Sequence, residues 1–268
     1  MSQTNETPQS GGASDRPEVR KGRVALVTGG SRGLGRALVG GLLDAGWAVV
    51  TDGRDPAVLA STAAALAAPD ADADRTLVAL PGDQGDADHR SALLAATNRL
   101  GGLDLLVLNA GDLGPSPLPK VADLDSADLA AVLAANVVAP HALVRDALPR
   151  LRASGGTIVA VTSDAAAEAY EGWGAYGASK AALEHLARVL AEEEPTITVH
   201  RIDPGDLRTD MHQLAFPGED ISDRAEPESA VRGFLAVIDG GRPSGGRWRA
   251  QDEGRPDGAS GYQPGAEA

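Results

Sequence analysis

Short runs of valine, isoleucine and leucine alternate along the chain with longer runs rich in alanine and leucine. The short runs, which we predict to be strands, are residues 23–28, 48–51, 76–80, 105–108, 157–162, 196–202 and 247–250. The longer runs, which we predict to be helices, are residues 34–45, 57–68, 86–100, 126–151, 175–193 and 227–238. Strands that alternate with helices of this length predict an α/β fold, a doubly wound parallel sheet of about seven strands with helices on both faces.

The two ends of the chain differ from this pattern. Residues 1–20 are mostly small, polar or charged, and residues 251–268 contain no Val, Leu, Ile or Phe. Neither segment can bury enough apolar surface to offset the entropy of ordering it, so we predict two disordered tails. No linker or internal repeat divides the remainder, which predicts one domain over residues 21–250.

The longest uncharged stretch and the N-terminal residues indicate where in the cell the protein is expected. The uncharged stretch 129–144 is shorter than the roughly 20 residues of a membrane span, so we expect a buried helix there. The N-terminus lacks the basic and apolar regions of a signal peptide. We therefore expect a cytoplasmic protein.

Composition excludes several classes of function. The net charge is −14, which repels phosphate backbones and disfavours nucleic-acid and anionic-membrane partners. The chain has no cysteine, so thiol catalysis and disulfides are excluded. The histidines show no metal-ligand spacing, and we expect no metal site.

A glycine-rich loop follows the first predicted strand, where TGGSRGLG occupies positions 28–35 and leads into a helix. Glycines let a pyrophosphate approach the main chain, and the helix N-terminus offers it unpaired N–H groups. The alternative is an ordinary tight turn. The letters also fit a nucleophile elbow around Ser31, but that serine would follow a central strand, not the first one. The context favours dinucleotide binding.

Five more motifs follow this loop in order. They are Asn109-Ala110-Gly111 after the fourth strand, Asn136 in the long helix, Ser163 at the end of the fifth strand, Tyr176-x-x-x-Lys180, and Pro204-Gly205-x-x-x-Thr209 after the sixth strand. With them the sequence resembles the classical short-chain dehydrogenase/reductase (SDR) family over about residues 22–250. The resemblance implies a Rossmann fold and an oxidoreductase that transfers hydride between a nicotinamide cofactor and a small ketone, aldehyde or secondary alcohol.

The Tyr-Lys pair suits this chemistry. Tyr176 and Lys180 are four residues apart and share one face of a helix. A phenol titrates near about 10, and a nearby ammonium is expected to lower that pKa. Tyr176 then acts as general acid or base on the substrate oxygen, and Ser163 hydrogen-bonds the same oxygen.

The resemblance implies further roles. Lys180 would also hold the nicotinamide ribose, and Asn136 would interrupt helix hydrogen bonding and hold a water in a proton relay. Thr209 would bind the carboxamide, Asn109 would lie near adenosine, and Asp83 would contact adenine. The alternatives are a buried paired asparagine at 136, a turn residue at 109 and a helix cap at 83. We expect the cofactor to be bound by Gly29, Ser31, Arg32, Gly33, Leu34, Gly35, Arg54, Asp83, Asn109, Ala110, Gly111, Tyr176, Lys180, Pro204, Gly205 and Thr209.

Cofactor choice depends on the end of the second strand. An NAD site places a carboxylate there, whereas a 2′-phosphate needs arginine. Family spacing puts the acidic position on Gly53, with Asp52 one residue early. Arg54 and Arg32 could both face a 2′-phosphate, so NADP(H) is favoured and NAD(H) stays possible. Arg54 could instead be an exposed turn residue.

The remaining expectations concern substrate and assembly. Residues 112–120 and 207–224 should wall a partly apolar cleft for a small carbonyl compound. The resemblance implies that the two long helices pair across a two-fold axis in a homodimer or homotetramer. The alternative function is a non-catalytic dinucleotide-binding sensor or scaffold, which would have no use for the Ser163, Tyr176 and Lys180 set.

Overall fold

A computed structural model describes residues 22–67 and 75–253 of the chain. These residues contain seven strands joined in one parallel sheet. The strands are β1 (Val24–Val27), β2 (Ala48–Gly53), β3 (Leu77–Pro81), β4 (Leu105–Leu108), β5 (Thr157–Val161), β6 (Thr198–Asp203) and β7 (Arg247–Arg249). The α-helices are α1 (Gly33–Asp44), α2 (Pro56–Ala67), α3 (Ala87–Arg99), α4 (Ser126–Leu133), α5 (Ala139–Ser154), α6 (Gly174–Glu193), α7 (Asp210–Ala215), α8 (Glu228–Asp239) and α9 (Ala250–Glu253).

The strand order is β3-β2-β1-β4-β5-β6-β7, and every pair is parallel. The order reverses at β1, where Val27 is in register with Thr51 of β2 on one side and Val107 of β4 on the other. In such sheets the carboxyl ends of the strands on either side of the reversal open a crevice for a ligand. The predicted doubly wound fold is confirmed.

Both faces of the sheet are covered. The four residues of β1 are fully buried, with Ala25 and Val27 on the side of α1 and α8 and Leu26 on the side of α3, α5 and α6. Side chains alternate between the faces of a strand, so an apolar run with no polar position requires a helical layer on each side. This explains why β1 reads VALV.

The observed element boundaries lie within three residues of the predicted ones, the largest difference being at the end of the predicted helix 126–151, which continues to Ser154. Helix α7 was not predicted, and the C-terminal tail begins too early in the prediction. Residues 250–253 form α9 because Ala250 is buried against Gly233, where an added Cβ would lie 1.9 Å from the Ala250 carbonyl oxygen. The predicted tail 1–20 and the rest of the C-terminal tail lie outside the described residues.

Helices α4 and α5 are joined by a π-helical segment, Ala134–Val138, into one helix from Ser126 to Ser154. By length and composition this helix could cross a membrane, and 33% of its most apolar window is buried. Core helices pass the same test. This one inserts Leu143, Ala147 and Leu151 into the core beside β4 and β5. The uncharged stretch 129–144, expected to be a buried helix, is buried on one side only, since Leu143 is in the core and Val138 is exposed.

Candidate active site

The glycine loop turns sharply between β1 and α1. Gly29 and Gly33 have positive φ angles of 71° and 51°, which L side chains rarely adopt. A Cβ at Gly35 would lie 2.1 Å from the Gly29 carbonyl oxygen. The loop therefore needs glycine at these positions, and the first turn of α1 carries no acidic residue that would repel an anion.

A buried carboxylate at the end of β2 holds this loop. The Gly29 N–H donates to Asp52 Oδ1 at 2.6 Å, and His89 Nε2 of α3 lies 3.2 Å from Asp52 Oδ2. Asp52 is only 3% exposed, so its carboxylate serves the loop. This role of Asp52 and His89 was not predicted from the sequence, although a carboxylate at the end of an apolar strand is a visible signal.

The end of β4 also supports the loop. Asn109 Nδ2 donates to the Thr28 carbonyl oxygen at 2.8 Å, and the backbone N–H groups of Asn109 and Ala110 both reach Thr28 Oγ1. Asn109 thus acts as the strand-end residue considered from the sequence, and it lines the same cleft as the loop. Gly111 follows beside Lys180, where an added Cβ would lie 3.8 Å from Nζ.

Ser163, Tyr176 and Lys180 come together in one cleft of about 600 Å³ that also contains the glycine loop. Ser163 follows β5, and the other two lie on successive turns of α6. Lys180 Nζ donates to the Val161 carbonyl oxygen at 2.9 Å and lies 5.5 Å from the centre of the Tyr176 ring. The Ser163 hydroxyl donates to Asp164 Oδ1 at 3.0 Å.

The electrostatics of the pair differ from the sequence expectation. Burial raises the pKa of Tyr176, and the carboxylates of Asp203 and Asp164 raise it further. The expected lowering by Lys180 is therefore wrong for the free protein, because desolvation and two carboxylates dominate. Burial also lowers the pKa of Lys180 to about 8, against an opposing effect of Glu184. The phenol of Tyr176 therefore keeps its proton at neutral pH, and most of Lys180 remains charged.

Asn136 lies in the π-helical segment, as the expected interruption of helix hydrogen bonding requires. Its side chain accepts from Asp112 N at 2.7 Å and donates to the Asp112 carbonyl oxygen at 2.7 Å and to Ser179 Oγ at 2.9 Å. These contacts are those of a buried, paired asparagine that joins the β4 loop to α6. The water relay stays a prediction.

The residues considered for cofactor choice surround one end of the cleft. Gly53 ends β2, and a Cβ there would lie 2.8 Å from the Ser31 side chain, so the position has no room for a carboxylate. Arg54 is 72% exposed and lies 3.8 Å from Asp112, and Arg32 lies 3.3 Å from Asp210. Both arginines line the cleft and carry only loose ion pairs.

The other residues predicted to bind the cofactor also line the cleft, and two of them, Asp83 and Thr209, accept a hydrogen bond from a nearby backbone N–H. Asp83 accepts from Gly85 N at 2.7 Å, whereas Asp86 caps α3, so Asp83 is not the helix cap. Thr209 caps α7 by accepting from His212 N at 3.1 Å. Ser31, Leu34, Pro204 and Gly205 complete the lining. Their contacts with a cofactor stay predictions.

Four aromatic side chains form a cluster beside the cleft, and two of them, Trp173 and Tyr176, line it. Trp173 lies 5.7 Å from Tyr176 and 6.0 Å from Phe216, ring centre to ring centre, and Tyr170 lies 6.4 Å from Trp173. Four of the eight Phe, Trp and Tyr residues of the chain are in this cluster. Met211 packs on it from α7. The predicted partly apolar wall is present.

The cleft suits a dinucleotide. Its glycine loop has no space for a side chain at Gly35. The N–H groups at the start of α1 are suited to bind an anion at this turn. Arg32, Arg54 and the Ser-Tyr-Lys set line the same cleft as that turn.

Known proteins are similar to this chain in sequence. The model of the family described as short chain dehydrogenase matches residues 23–220. An uncharacterized oxidoreductase of Saccharomyces cerevisiae, YIR035C, is 35% identical over 190 residues, which cover 71% of this chain and 72% of that protein. Sepiapterin reductase of Mus musculus is 35% identical over 203 residues, 72% of this chain and 77% of that protein.

Solved structures share the fold. A short chain dehydrogenase of Shigella flexneri 2a, complexed with NADP, has a TM-score of 0.79 at 28% identity and covers 88% of this chain and 100% of its own. A short chain dehydrogenase of Escherichia coli CFT073, complexed with NADPH, has a TM-score of 0.78 at 29% identity. The match covers 88% of this chain and 99% of that one. The chain therefore belongs to the short-chain dehydrogenase/reductase family of NAD(P)-binding oxidoreductases, which act on CH–OH and C=O groups.

Proposed function

We propose that this protein reduces a small ketone or aldehyde with NADPH, with Tyr176 as the proton donor. The observation that carries the proposal is the presence of Ser163, Tyr176 and Lys180 in one cleft with the glycine loop. Since burial raises the pKa of Tyr176, the phenol holds its proton at neutral pH and is ready to give it to a substrate oxygen. The reverse reaction, oxidation of a secondary alcohol, needs the phenolate and is therefore favoured only at alkaline pH.

Each residue of the cleft has a separate role in the proposed reduction. A bound reduced nicotinamide supplies the hydride to the carbonyl carbon. Tyr176 donates its hydroxyl proton to the carbonyl oxygen, and Lys180 stabilises the resulting phenolate until it is reprotonated. Ser163 turns its hydroxyl from Asp164 to the same oxygen and stabilises the developing negative charge. Asn136 fixes the β4 loop against α6, beside Lys180.

NADP(H) is the preferred cofactor in this proposal. Asp52, the carboxylate nearest to the expected NAD position, is buried and bound to Gly29 and His89, so it does not compete for ribose hydroxyls. Arg54 and Arg32 supply positive charge to a 2′-phosphate instead. The NADP and NADPH complexes of the two bacterial relatives support this preference.

A spectrophotometric assay tests the reaction. Purified protein with NADPH and a panel of small ketones and aldehydes should consume the reduced nicotinamide with at least one member. Tyr176→Phe should lower kcat at least about 10²-fold because the proton donor is lost. Lys180→Ala should lower it comparably. Full activity in both variants would refute the assigned chemistry, and cofactor binding without turnover across the panel would favour a sensor.

Arg54→Ala tests the cofactor preference. Loss of the guanidinium should weaken NADPH binding about tenfold or more and leave NADH binding nearly unchanged, because only NADPH carries the 2′-phosphate. Cofactor fluorescence titration measures both affinities, and Arg36→Ala, an exposed position on α1, is the control. Equal losses for the two cofactors would reverse the preference.

We also propose a cytoplasmic homodimer or homotetramer. Leu186 and Val189 of α6 and Val138 of the π-helical segment are exposed apolar residues on the two long helices expected to pair. Light scattering coupled to gel filtration should give a mass of two or four chains. A single-chain mass at micromolar concentration would refute the assembly.

A further inference from the structure

Arg247 is a buried cation that none of the predicted roles uses. It is the first residue of β7, and its side chain is only 4% exposed. A charge at such a position requires specific partners, since burial alone strongly disfavours the ionised form. Its partners lie on three separate elements that border the active site.

Three contacts define its place. Arg247 Nη2 donates to the Ser163 carbonyl oxygen at 3.0 Å, and Nε donates to Glu184 Oε1 at 2.9 Å. Nη2 also lies 3.4 Å from Asp203 Oδ2. A guanidinium can make these contacts together because its donors form a rigid planar fork, whereas an ammonium is a single point.

Each contact is adjacent to a residue of the site. Ser163 is itself the proposed partner of the substrate oxygen. Glu184 lies one helical turn after Lys180 on α6. Asp203 directly precedes the Pro204-Gly205 turn and accepts from Gly205 N at 3.0 Å. The guanidinium therefore joins the ends of β5 and β6 to the helix that carries the Tyr-Lys pair.

The charges around Arg247 form a small network. Glu184 also accepts from the Thr162 hydroxyl and pairs with Arg201, whose Nη1 lies 3.2 Å from Oε2. Thr162 immediately precedes Ser163, so Glu184 holds the same strand end through a second residue. Two buried guanidinium groups, Arg247 and Arg201, face the carboxylates of Glu184 and Asp203, and the loss of Arg247 leaves a buried negative charge near Lys180.

We propose that Arg247 is a positioning residue for the reduction, which keeps the Ser163 hydroxyl and the Tyr176 phenol aimed at one substrate oxygen. The effect of Arg247 on the reaction rests on the proposed function, since it assumes that Ser163 and Tyr176 act on the substrate. Arg247 itself touches neither substrate nor cofactor in this account. It acts through the Ser163 main chain and through the two carboxylates.

The network also affects protonation. Glu184 raises the pKa of Lys180, and Asp203 and Asp164 raise that of Tyr176. Burial raises the pKa of Asp203, and Arg247 opposes that rise. Without Arg247 the negative charges of Glu184 and Asp203 are less compensated. The pKa values of Lys180 and Tyr176 should then both rise, and the alkaline limb of the rate profile should move to higher pH.

The test compares three variants in the full-length protein. Arg247→Met removes the charge and keeps a long apolar side chain. Arg247→Lys keeps the charge without the fork. Arg249→Met is the matched control, because Arg249 is two residues along the same strand, half-exposed, and 3.9 Å from Asp203. The measurements are kcat, KM and pH profile with NADPH, and hydrogen exchange of the free protein by mass spectrometry.

We expect kcat of Arg247→Met to fall at least about tenfold, since small displacements of a reacting group cost this much. Its alkaline limb should shift upward, whereas Arg247→Lys should lose kcat without that shift and Arg249→Met should stay within twofold of the wild type. Exchange should accelerate at residues 163–168 and 203–209 in Arg247→Met and remain unchanged in α1.

Two results would overturn the inference. One is wild-type kcat and pH dependence in Arg247→Met. The other is an activity loss that equals the unfolded fraction, with exchange accelerated throughout the chain. If Arg247→Met does not fold, Arg247→Lys carries the same test through kcat and exchange. A wild-type protein without turnover would defeat the proposed function, and the local exchange pattern would still decide the role of Arg247.

Discussion

Replacement of Lys180 by methionine should make the protein more stable while it removes activity. Lys180 is 4% exposed, and burial lowers its pKa from 10.5 to about 8. Each pKa unit corresponds to about 1.4 kcal/mol, so keeping the ammonium in the core at pH 7 costs roughly 3 kcal/mol. Methionine has a similar length and no charge to desolvate.

One contact reduces the gain. The ammonium donates to the Val161 carbonyl oxygen, and the loss of a buried hydrogen-bond partner costs about 1–3 kcal/mol. We therefore expect Lys180→Met to raise the free energy of unfolding at pH 7 by roughly 0–2 kcal/mol, the difference between these two effects. The same variant should be inactive.

The sign can be checked through pH. The folded-state pKa of Lys180 is below its unfolded value, so between pH 8 and 10.5 the unfolded wild type binds more protons and its stability rises with pH. The advantage of Lys180→Met should therefore be full below pH 8 and shrink as the pH approaches 10.5. Urea unfolding at neutral and alkaline pH, followed by circular dichroism, measures this difference.

Lys120→Met is the matched control. Lys120 pairs with Glu171, but both side chains are about 70% exposed, and exposed pairs contribute little. Its stability should change by less than about 0.5 kcal/mol at either pH. A Lys180→Met protein that is less stable than the wild type at pH 7, or an advantage that does not depend on pH, would refute the reasoning.

Two further variants test burial elsewhere. His200 is buried and accepts from Trp248 Nε1, and burial, helped by Arg242, lowers its pKa to about 4. Because that pKa lies below the unfolded value of 6.5, stability is lost as the pH falls from 6.5 to 4. His200→Gln should remove roughly 3 kcal/mol of this acid-induced loss in urea titrations, and an unchanged loss would contradict the assignment. Gly35→Ala should weaken NADPH binding and destabilise the fold because its Cβ has no space, whereas Gly40→Ala on the same helix meets only Leu66 at 3.3 Å and should be neutral or stabilising in thermal melts. Equal behaviour of the two glycine variants would refute the steric argument.

The features that could be predicted from the sequence are those set by a repeated pattern or by residues close together in the chain. The fold follows from alternating apolar runs, and the cleft residues follow from motif spacing, since Tyr176 and Lys180 need only four residues of helix to share a face. Strand β4 was predicted residue for residue because Leu105–Leu108 is bounded by polar residues on both sides. Helix α7 was missed because its six residues lie in a loop-like, polar segment.

The properties missed were those that depend on a partner distant in sequence. Whether Asp52 faces a ribose or the Gly29 amide is decided by strand direction and by His89 on α3, which no local pattern contains. The pKa of Tyr176 was predicted to fall because only Lys180 was considered. The opposing effects come from burial and from Asp203, 27 residues along the chain on another strand.

Asp52 and Arg247 are buried charged side chains, and both bind backbone groups of the predicted motifs. Asp52 holds the amide of Gly29 in the glycine loop, and Arg247 holds the carbonyl of Ser163. Both contacts are internal to the chain, so the entropy of ordering these loops is lost on folding and not on binding. A preorganised site of this kind depends on its supporting residues as much as on the groups that react. We therefore attribute the precision of this active site to two buried ions as well as to its motifs.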